Sequence, residues 1–427
     1  MSVLILVGGL LVLLISGVPV FVALLATCLI QIVYEGGLPL LIIAQRLSNT
    51  LDSFPLLAIP LFILAAEIMN HSGATRRIFR LASVMVGHIT GGLAHVNVLA
   101  SMLFSGMSGS AVADASGLGM VEIRAMFDEG YDKPFSAAVT AASSTIGPII
   151  PPSVPMVIYG VISGTSIGAL FMGGIIPGVI MGVGMMVVIF VIARKRSMNV
   201  KRARPTLKEM GEAFVQALPS LFLPVIILGG IWGGIFSPTE AAAVAVVYSA
   251  LLGFLLHREL KPKDAAPILY NAGKSTAAIM LIVAAAGLYG WLISTEQVPQ
   301  LVRTFLLGVS DNPIVIILII NVILLIMGMF MELIAILTIT VPVFLPIATA
   351  LGLDPVYFGI LVVLNLMIGF LTPPFGLNVF IMQKISKVPF YSIVRELVPF
   401  MAVLLVTLLL MVFFPQLVMA IPNMVYG

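Results

Sequence analysis

The chain alternates long apolar runs with short polar segments. Runs of membrane-spanning length cover 3–33, 167–193, 221–236, 279–293, 314–329 and 398–418. A helix of about 20 apolar residues crosses the hydrocarbon core. A barrel would need short segments alternating apolar and polar positions, whereas these runs are apolar on every side. The pattern predicts an all-α polytopic membrane protein with room for roughly 12 helices. A second kind of segment carries charges at helical spacing: 74–87, with Arg76, Arg77 and Arg80, then 200–214 and 298–308. These are expected to lie in the interface plane.

A third kind interrupts the apolar pattern with Gly, Ser, Thr and Pro, and it occurs twice. FSGMSGSAVADASGLG (104–119) precedes IGPIIPPSVPMVIYG (146–160); GMFMELIAILTITVP (328–342) precedes IGFLTPPFGLNVFIM (368–382). The outline of 146–153 returns 222 positions later, and Asn97 and Asn321 each precede a Gly-Met pair. This predicts an internal repeat over about 55–195 and 276–420. Pro151-Pro152 and Pro373-Pro374 cannot continue a helix, and Gly147, Gly369 and Gly376 permit unusual backbone shapes. Irregular backbone at membrane depth is tolerated where it is buried or lines a wet cavity. Matched breaks in two halves are the pattern of secondary transporters.

The candidate chemistry lies in these segments. Ser105, Ser108 and Ser110 surround Asp114. Their hydroxyls and nearby carbonyls are hard oxygen ligands suited to Na⁺; close packing of small residues is the structural alternative. A helical hairpin entering and leaving from one side would suit this segment. An acid in such a place usually marks an ion or substrate pathway. Its counterpart is Glu332, followed by Thr338 and Thr340. Glu240, after Ser237, Pro238 and Thr239, is expected to start a helix; Glu67, ahead of Asn70 and His71, stays open.

Composition narrows the picture. With 60% hydrophobic and 9% charged residues, a soluble domain is excluded. No Lys or Arg precedes the first run, and the first positive charge is Arg46. The first helix is therefore expected to be retained rather than cleaved as a signal peptide. A lone Cys28 allows neither a disulfide framework nor a thiolate metal site. The basic stretches 194–208 and 257–264 are expected to be cytoplasmic, with crossings near 215–236 and 239–256 between them. Their charge is assigned to topology, not to nucleic acid. GMSG (106–109) matches a short serine-hydrolase signature, but that chemistry needs a His base. The one His after Ser108 is His257, in a basic stretch; His71, His88 and His95 precede it. No nucleotide-binding fingerprint is present, so transport must draw on an ion gradient or be passive.

FSGMSGSAVADASGLG, TAASSTIGPIIPPSVPMVIYG, GTSIGALFMGGIIPG, SPTEAAAVAVVYS and LTPPFGLNVF, in this order, resemble the large membrane (M) subunit of TRAP transporters. These are the tripartite ATP-independent periplasmic family, and the resemblance covers nearly the whole chain. It implies an inverted-repeat, elevator-type secondary transporter with two helical hairpins and broken helices. It implies a multi-pass protein of the bacterial inner membrane that imports an organic anion with Na⁺. It also implies a four-helix membrane (Q) subunit and a periplasmic substrate-binding (P) protein as partners beside the lipid bilayer. The chain opens at the M-type first helix, so the Q subunit is expected as a separate polypeptide. The implied organisation has scaffold helices in 1–54, a first repeat in 55–195 with a transport core at 89–165, and further scaffold in 196–275. A second repeat follows in 276–427, with its core at 312–388. One Na⁺ site would use Ser108, Ser110, Gly147, Ile150 and Pro152; the second would use Thr338, Thr340, Gly369 and Thr372. Asp114 and Glu332 would face the substrate, with Ser105, Pro151 and Pro373. No catalytic residue and no cofactor beyond coupling Na⁺ is implied. MSGSAVADASGLG looks most like the sialic acid branch, with C4-dicarboxylates next. An autonomous ion-coupled carboxylate transporter needing no binding protein is the alternative.

Overall fold

Proline and glycine placement cuts the apolar runs into elements in the computed structural model. It describes every residue except 1, 3, 37, 38, 197, 199–202 and 427. The first run was expected as one span, but it divides. Leu4–Gly9 continues into α1 (Leu10–Ile15), and the chain turns before α2 (Val20–Glu35), which holds the buried Cys28. Gly17 takes a left-handed φ of 80° and Pro19 precedes α2, so no continuous helix can pass. α3 (Leu41–Leu51) completes the N-terminal group.

The first repeat follows. α4 (Ala58–His71) leads to the amphipathic α5 (Ala74–Val86), which buries Ile78, Leu81 and Ala82 and exposes Arg76 and Arg80. Hairpin 1 is α6 (Gly92–Ser108) returning through α7 (Ala111–Ser116) and α8 (Leu118–Asp128). Broken helix 1 is α9 (Lys133–Ser143), an irregular centre and α10 (Val154–Ser163); the long α11 (Ile167–Lys195) closes the repeat. α12 (Leu207–Trp232) and α13 (Pro238–Leu251) form the connection. The second repeat has α14 (Pro262–Thr295) and the amphipathic α15 (Val298–Val309). Hairpin 2 is α16 (Pro313–Gly328) and α17 (Leu333–Ala350). Broken helix 2 is α18 (Pro355–Gly369) and α19 (Leu377–Ser386), followed by α20 (Phe390–Phe413) and α21 (Gln416–Tyr426).

Among the described residues, 7 helices are long and apolar enough to cross a membrane. The expected dozen is not reached because hairpin arms and half-helices are short. The interface helix expected at 200–214 is absorbed into α12: Thr206 caps it, accepting from the Glu209 N–H at 3.2 Å while the Glu209 carboxylate accepts from Thr206 N at 2.8 Å. This reciprocal box fixes the helix start. Residues 197 and 199–202 of the basic stretch lie outside the described residues. Ser237 and Glu240 form the same box on α13, as the sequence predicts.

Matching polar braces fasten each hairpin to its broken helix. Asn97 on α6 donates to Thr140 Oγ1 and accepts from Ser143 Oγ, both at 2.7 Å. In the second half Asn365 donates to Asn321 Oδ1 at 2.7 Å. Ser143 and Asn365 are separated by the same 222 positions as the breaks. The packing between halves is reciprocal: α10 lies on α17, and α19 lies on α7. Two inverted copies around a two-fold relation make contacts of this kind. Asn378 on α19 crosses between halves, donating to Ala141 O and Ser144 Oγ at 2.7 Å. Gly328 and Gly369 let hairpin 2 touch broken helix 2 backbone to backbone; a Cβ on Gly369 would lie 2.6 Å from the Gly328 Cα. Around this block, α4 packs on α13 and α14, and α14 also meets α2, α3 and α17.

Candidate functional site

The hairpin tips and the helix breaks converge. Gly109 turns hairpin 1 with a left-handed φ of 59°, and its carbonyl accepts from Val154 N at 3.2 Å. A Cβ on Gly109 would lie 2.5 Å from the Pro152 carbonyl oxygen, so only glycine allows tip and break to approach this closely. Ser110 caps α7 and Ser153 caps α10 through their hydroxyls. The Pro151–Pro152 and Pro373–Pro374 bonds, at matching places in the two breaks, are both cis.

Between these parts lies a cavity of about 440 Å³. Hairpin 1 contributes Ser108, Ser110 and Ser116, break 1 Pro148, hairpin 2 Glu332, and break 2 Phe370. The opposite wall comes from α4, with Glu67 and Asn70, and from α14, with Ser275. Two carboxylates thus face the cavity, and no Lys, Arg or His lines it among the described residues.

Asp114 corrects the expectation that it faces the substrate. It is 1% exposed and does not line the cavity. The short α7 turns Val112, Ala113 and Ser116 to the cavity, and Asp114 falls on the other face, as helical spacing requires. Its Oδ1 accepts from Ser108 Oγ, and its Oδ2, unpartnered among the described residues, abuts the Gly147 Cα, where a Cβ would collide with it. Ser108, Gly147, Pro152 and the acid are therefore gathered at one tip. Ile150 points its side chain at Gly178 on α11.

Glu332 does line the cavity, in a role the sequence did not predict. It caps α17, its Oε2 accepting from Ile334 N at 3.0 Å and Ala335 N at 3.3 Å. Ser105, Pro151 and Pro373 are not on the wall; Ser105 is buried one turn inside α6, donating to Ser101 O at 2.6 Å. Thr338 and Thr340 sit two residues apart in the unbroken α17. Residues at that spacing do not share a face, so their hydroxyls cannot both reach one ion. Thr338 and Thr340 each donate to a carbonyl of their own helix, at 2.9 and 2.7 Å, and Thr372, in the break, donates to Ile368 O of α18 at 2.7 Å, which leaves their oxygen lone pairs open.

Glu122 on α8 escaped the sequence reading. It is buried with both carboxyl oxygens unpartnered among the described residues, yet EIRAMFDEG looks like a solvated charged segment. Asn70 and Ser275 carried no signal because their helices lie far away in the sequence from the breaks. A hydrolase is not assembled: Ser108 donates to Asp114, and His95 lies 13 residues earlier on the same helix, about 20 Å along it.

Two hairpins meeting two broken helices over one cavity define a secondary transporter built from a repeat. The chain belongs to the tripartite ATP-independent periplasmic transporter family, DctM component, whose model matches residues 7–417. It is 44% identical to the sialic acid TRAP transporter large permease protein SiaM of Vibrio cholerae, over 97% of each chain. It is 39% identical to the C4-dicarboxylate TRAP transporter large permease protein DctM of Pseudomonas aeruginosa, over 89% of each. Its fold matches the YdaH transporter of Alcanivorax borkumensis with a TM-score of 0.60, 87% coverage of each chain and 14% identity. The protein is a multi-pass permease of the bacterial inner membrane and not an enzyme.

Proposed function

We propose that this chain is the large membrane subunit of a Na⁺-coupled tripartite importer that moves an organic anion, a sialic acid foremost, by an elevator motion. The observation that carries the reading is the charge of the cavity. Glu67 and Glu332 line it without a basic side chain. A carboxylate about 5 Å from either would be repelled by roughly 3 kcal/mol at an effective dielectric of 20. Bound cations reverse that sign, so an anion enters together with them. The N-terminal ends of α10 and α17 add partial positive charge at the wall. Likeness to the Vibrio cholerae permease favours sialic acid as the anion.

The first Na⁺ is assigned to Ser108, Ser110, Gly147, Pro152 and the Ile150 backbone, with Asp114 supplying the charge behind Ser108. The second is assigned to Gly369, Thr372 and one of Thr338 and Thr340. The moving part is assigned to 89–165 and 312–388, the segments that the Asn97, Asn321 and Asn378 hydrogen bonds tie into one block. The fixed part is assigned to 1–54 and 196–275. A small Q subunit and a periplasmic binding protein complete the machine.

The test is uptake of labelled sialic acid by proteoliposomes holding this chain and its small membrane subunit. Binding protein and an inward Na⁺ gradient are supplied separately or together. Uptake only with both supports the whole reading. Uptake of malate or succinate instead, with a matching binding protein, would move the substrate; uptake without any binding protein would make the carrier autonomous.

A further inference from the structure

A second cavity of about 440 Å³ lies beside the first. The two share Glu67, Asn70 and Ser116 in their walls. Arg76 and Glu259 line its far end, outside the first cavity. That end is anchored to the basic stretch 257–264: His257 Nδ1 meets Ser72 O at 2.9 Å, and Arg77 pairs with Glu259 at 2.8 Å. The positive-inside bias puts this stretch in the cytoplasm. The second cavity therefore leads from the central cavity towards the cytoplasmic face.

The shared neck has α4 on one side and hairpin 1 on the other. Asn70 stands on the last turn of α4, and Ser116 and Gly117 form the kink between α7 and α8 in hairpin 1. Asn70 Oδ1 is buried without a partner among the described residues. A Cβ on Gly117 would lie 2.7 Å from that oxygen, so the kink has no room for a side chain. Arg76 is exposed and reaches Glu259 only at 3.4 Å. An exposed pair of this kind contributes little, which leaves Arg76 able to exchange partners.

We propose that this second cavity is the cytoplasmic release vestibule for the transported carboxylate, with Asn70 as the positioning residue at its neck and Arg76 as the cation at its mouth. This rests on the transporter reading but on neither Na⁺ nor sialic acid. The neck suits passage rather than capture. Asn70 offers a neutral amide donor to a carboxylate, while Glu67 beside it opposes tight binding. Beyond the neck, the guanidinium of Arg76 draws the anion outward.

The test uses the assembled carrier with its one cysteine removed, Cys28→Ala. Asn70→Cys and Ser116→Cys are probed with a membrane-impermeant sulfonate thiol reagent, on inside-out vesicles and on spheroplasts. Reaction of both from the cytoplasmic side is expected. Failure of either to react there, while the denatured protein reacts, overturns the route. Labelling requires no transport, so it stands apart from any failure of the substrate or ion assignment. In uptake, Asn70→Asp should slow anion release about tenfold more than Asn70→Ser, the effect of one added like charge at short range. Equal rates for the two would remove Asn70 from the path.

Discussion

Ser108 and Asp114 are the residues on which the first ion assignment turns. Among the described residues the hydroxyl is the sole hydrogen-bond partner of a buried carboxylate. Ser108→Ala leaves that group unsatisfied, which costs about 1–3 kcal/mol. The expected result is a Na⁺ half-saturation raised several-fold together with a lower melting temperature; a variant with unchanged Na⁺ dependence would remove Ser108 from the site. Thr338 and Thr340 allow a sharper comparison. Because α17 turns them to different faces, Thr338→Ala and Thr340→Ala should differ, one raising the Na⁺ requirement and the other leaving it near normal. If uptake by both depends on Na⁺ as the parent does, the second site lies elsewhere. At this scale the sequence marked segments that line the cavity, but not the orientation of each side chain. Asp114 and Glu332 read as a matched pair of cavity acids, yet one backs Ser108 and the other caps a helix.

The hairpins and broken helices act as elements because small and amide residues hold them together. Asn97 to Thr140 and Ser143, and Asn321 to Asn365, are buried hydrogen bonds between helices. Asn365→Leu strands the Asn321 carbonyl oxygens and should destabilise the detergent-solubilised protein by about 1–3 kcal/mol, read as a lower unfolding temperature. Gly369 has less tolerance still. A side chain there must push Gly328 away, so Gly369→Val is expected to abolish uptake while a variant at the open Gly308 does not. These elements were legible in the sequence. Pro pairs, Gly residues and apolar length are local signals, and they repeated at a fixed interval. The split of 3–33 and the merging of 200–214 into α12 were less legible. The first depended on one turn at Gly17, the second on a cap at Thr206.

Whole-molecule motion can be tested where the proposed moving part touches α14, the helix that runs on from the proposed fixed part. Gly290 on α14 faces Pro342 on α17, with a built Cβ 3.3 Å from the proline ring. A disulfide between Gly290→Cys and Pro342→Cys, in the Cys28→Ala background, should stop uptake when oxidised and restore it when reduced. Undiminished uptake with the bond formed would rule out sliding at this surface.

The amino-acid sequence by itself determined the membrane class, the repeat, both helix breaks and the family, because length, hydropathy and proline chemistry act locally. The tertiary structure alone decided which residues meet. Glu67, Asn70 and Ser275 reach the cavity from helices that neither repeat motif marks, and α7 buries Asp114 on the face away from it. Those outcomes depend on helix phase and on partners distant in the chain, and no local pattern encodes either.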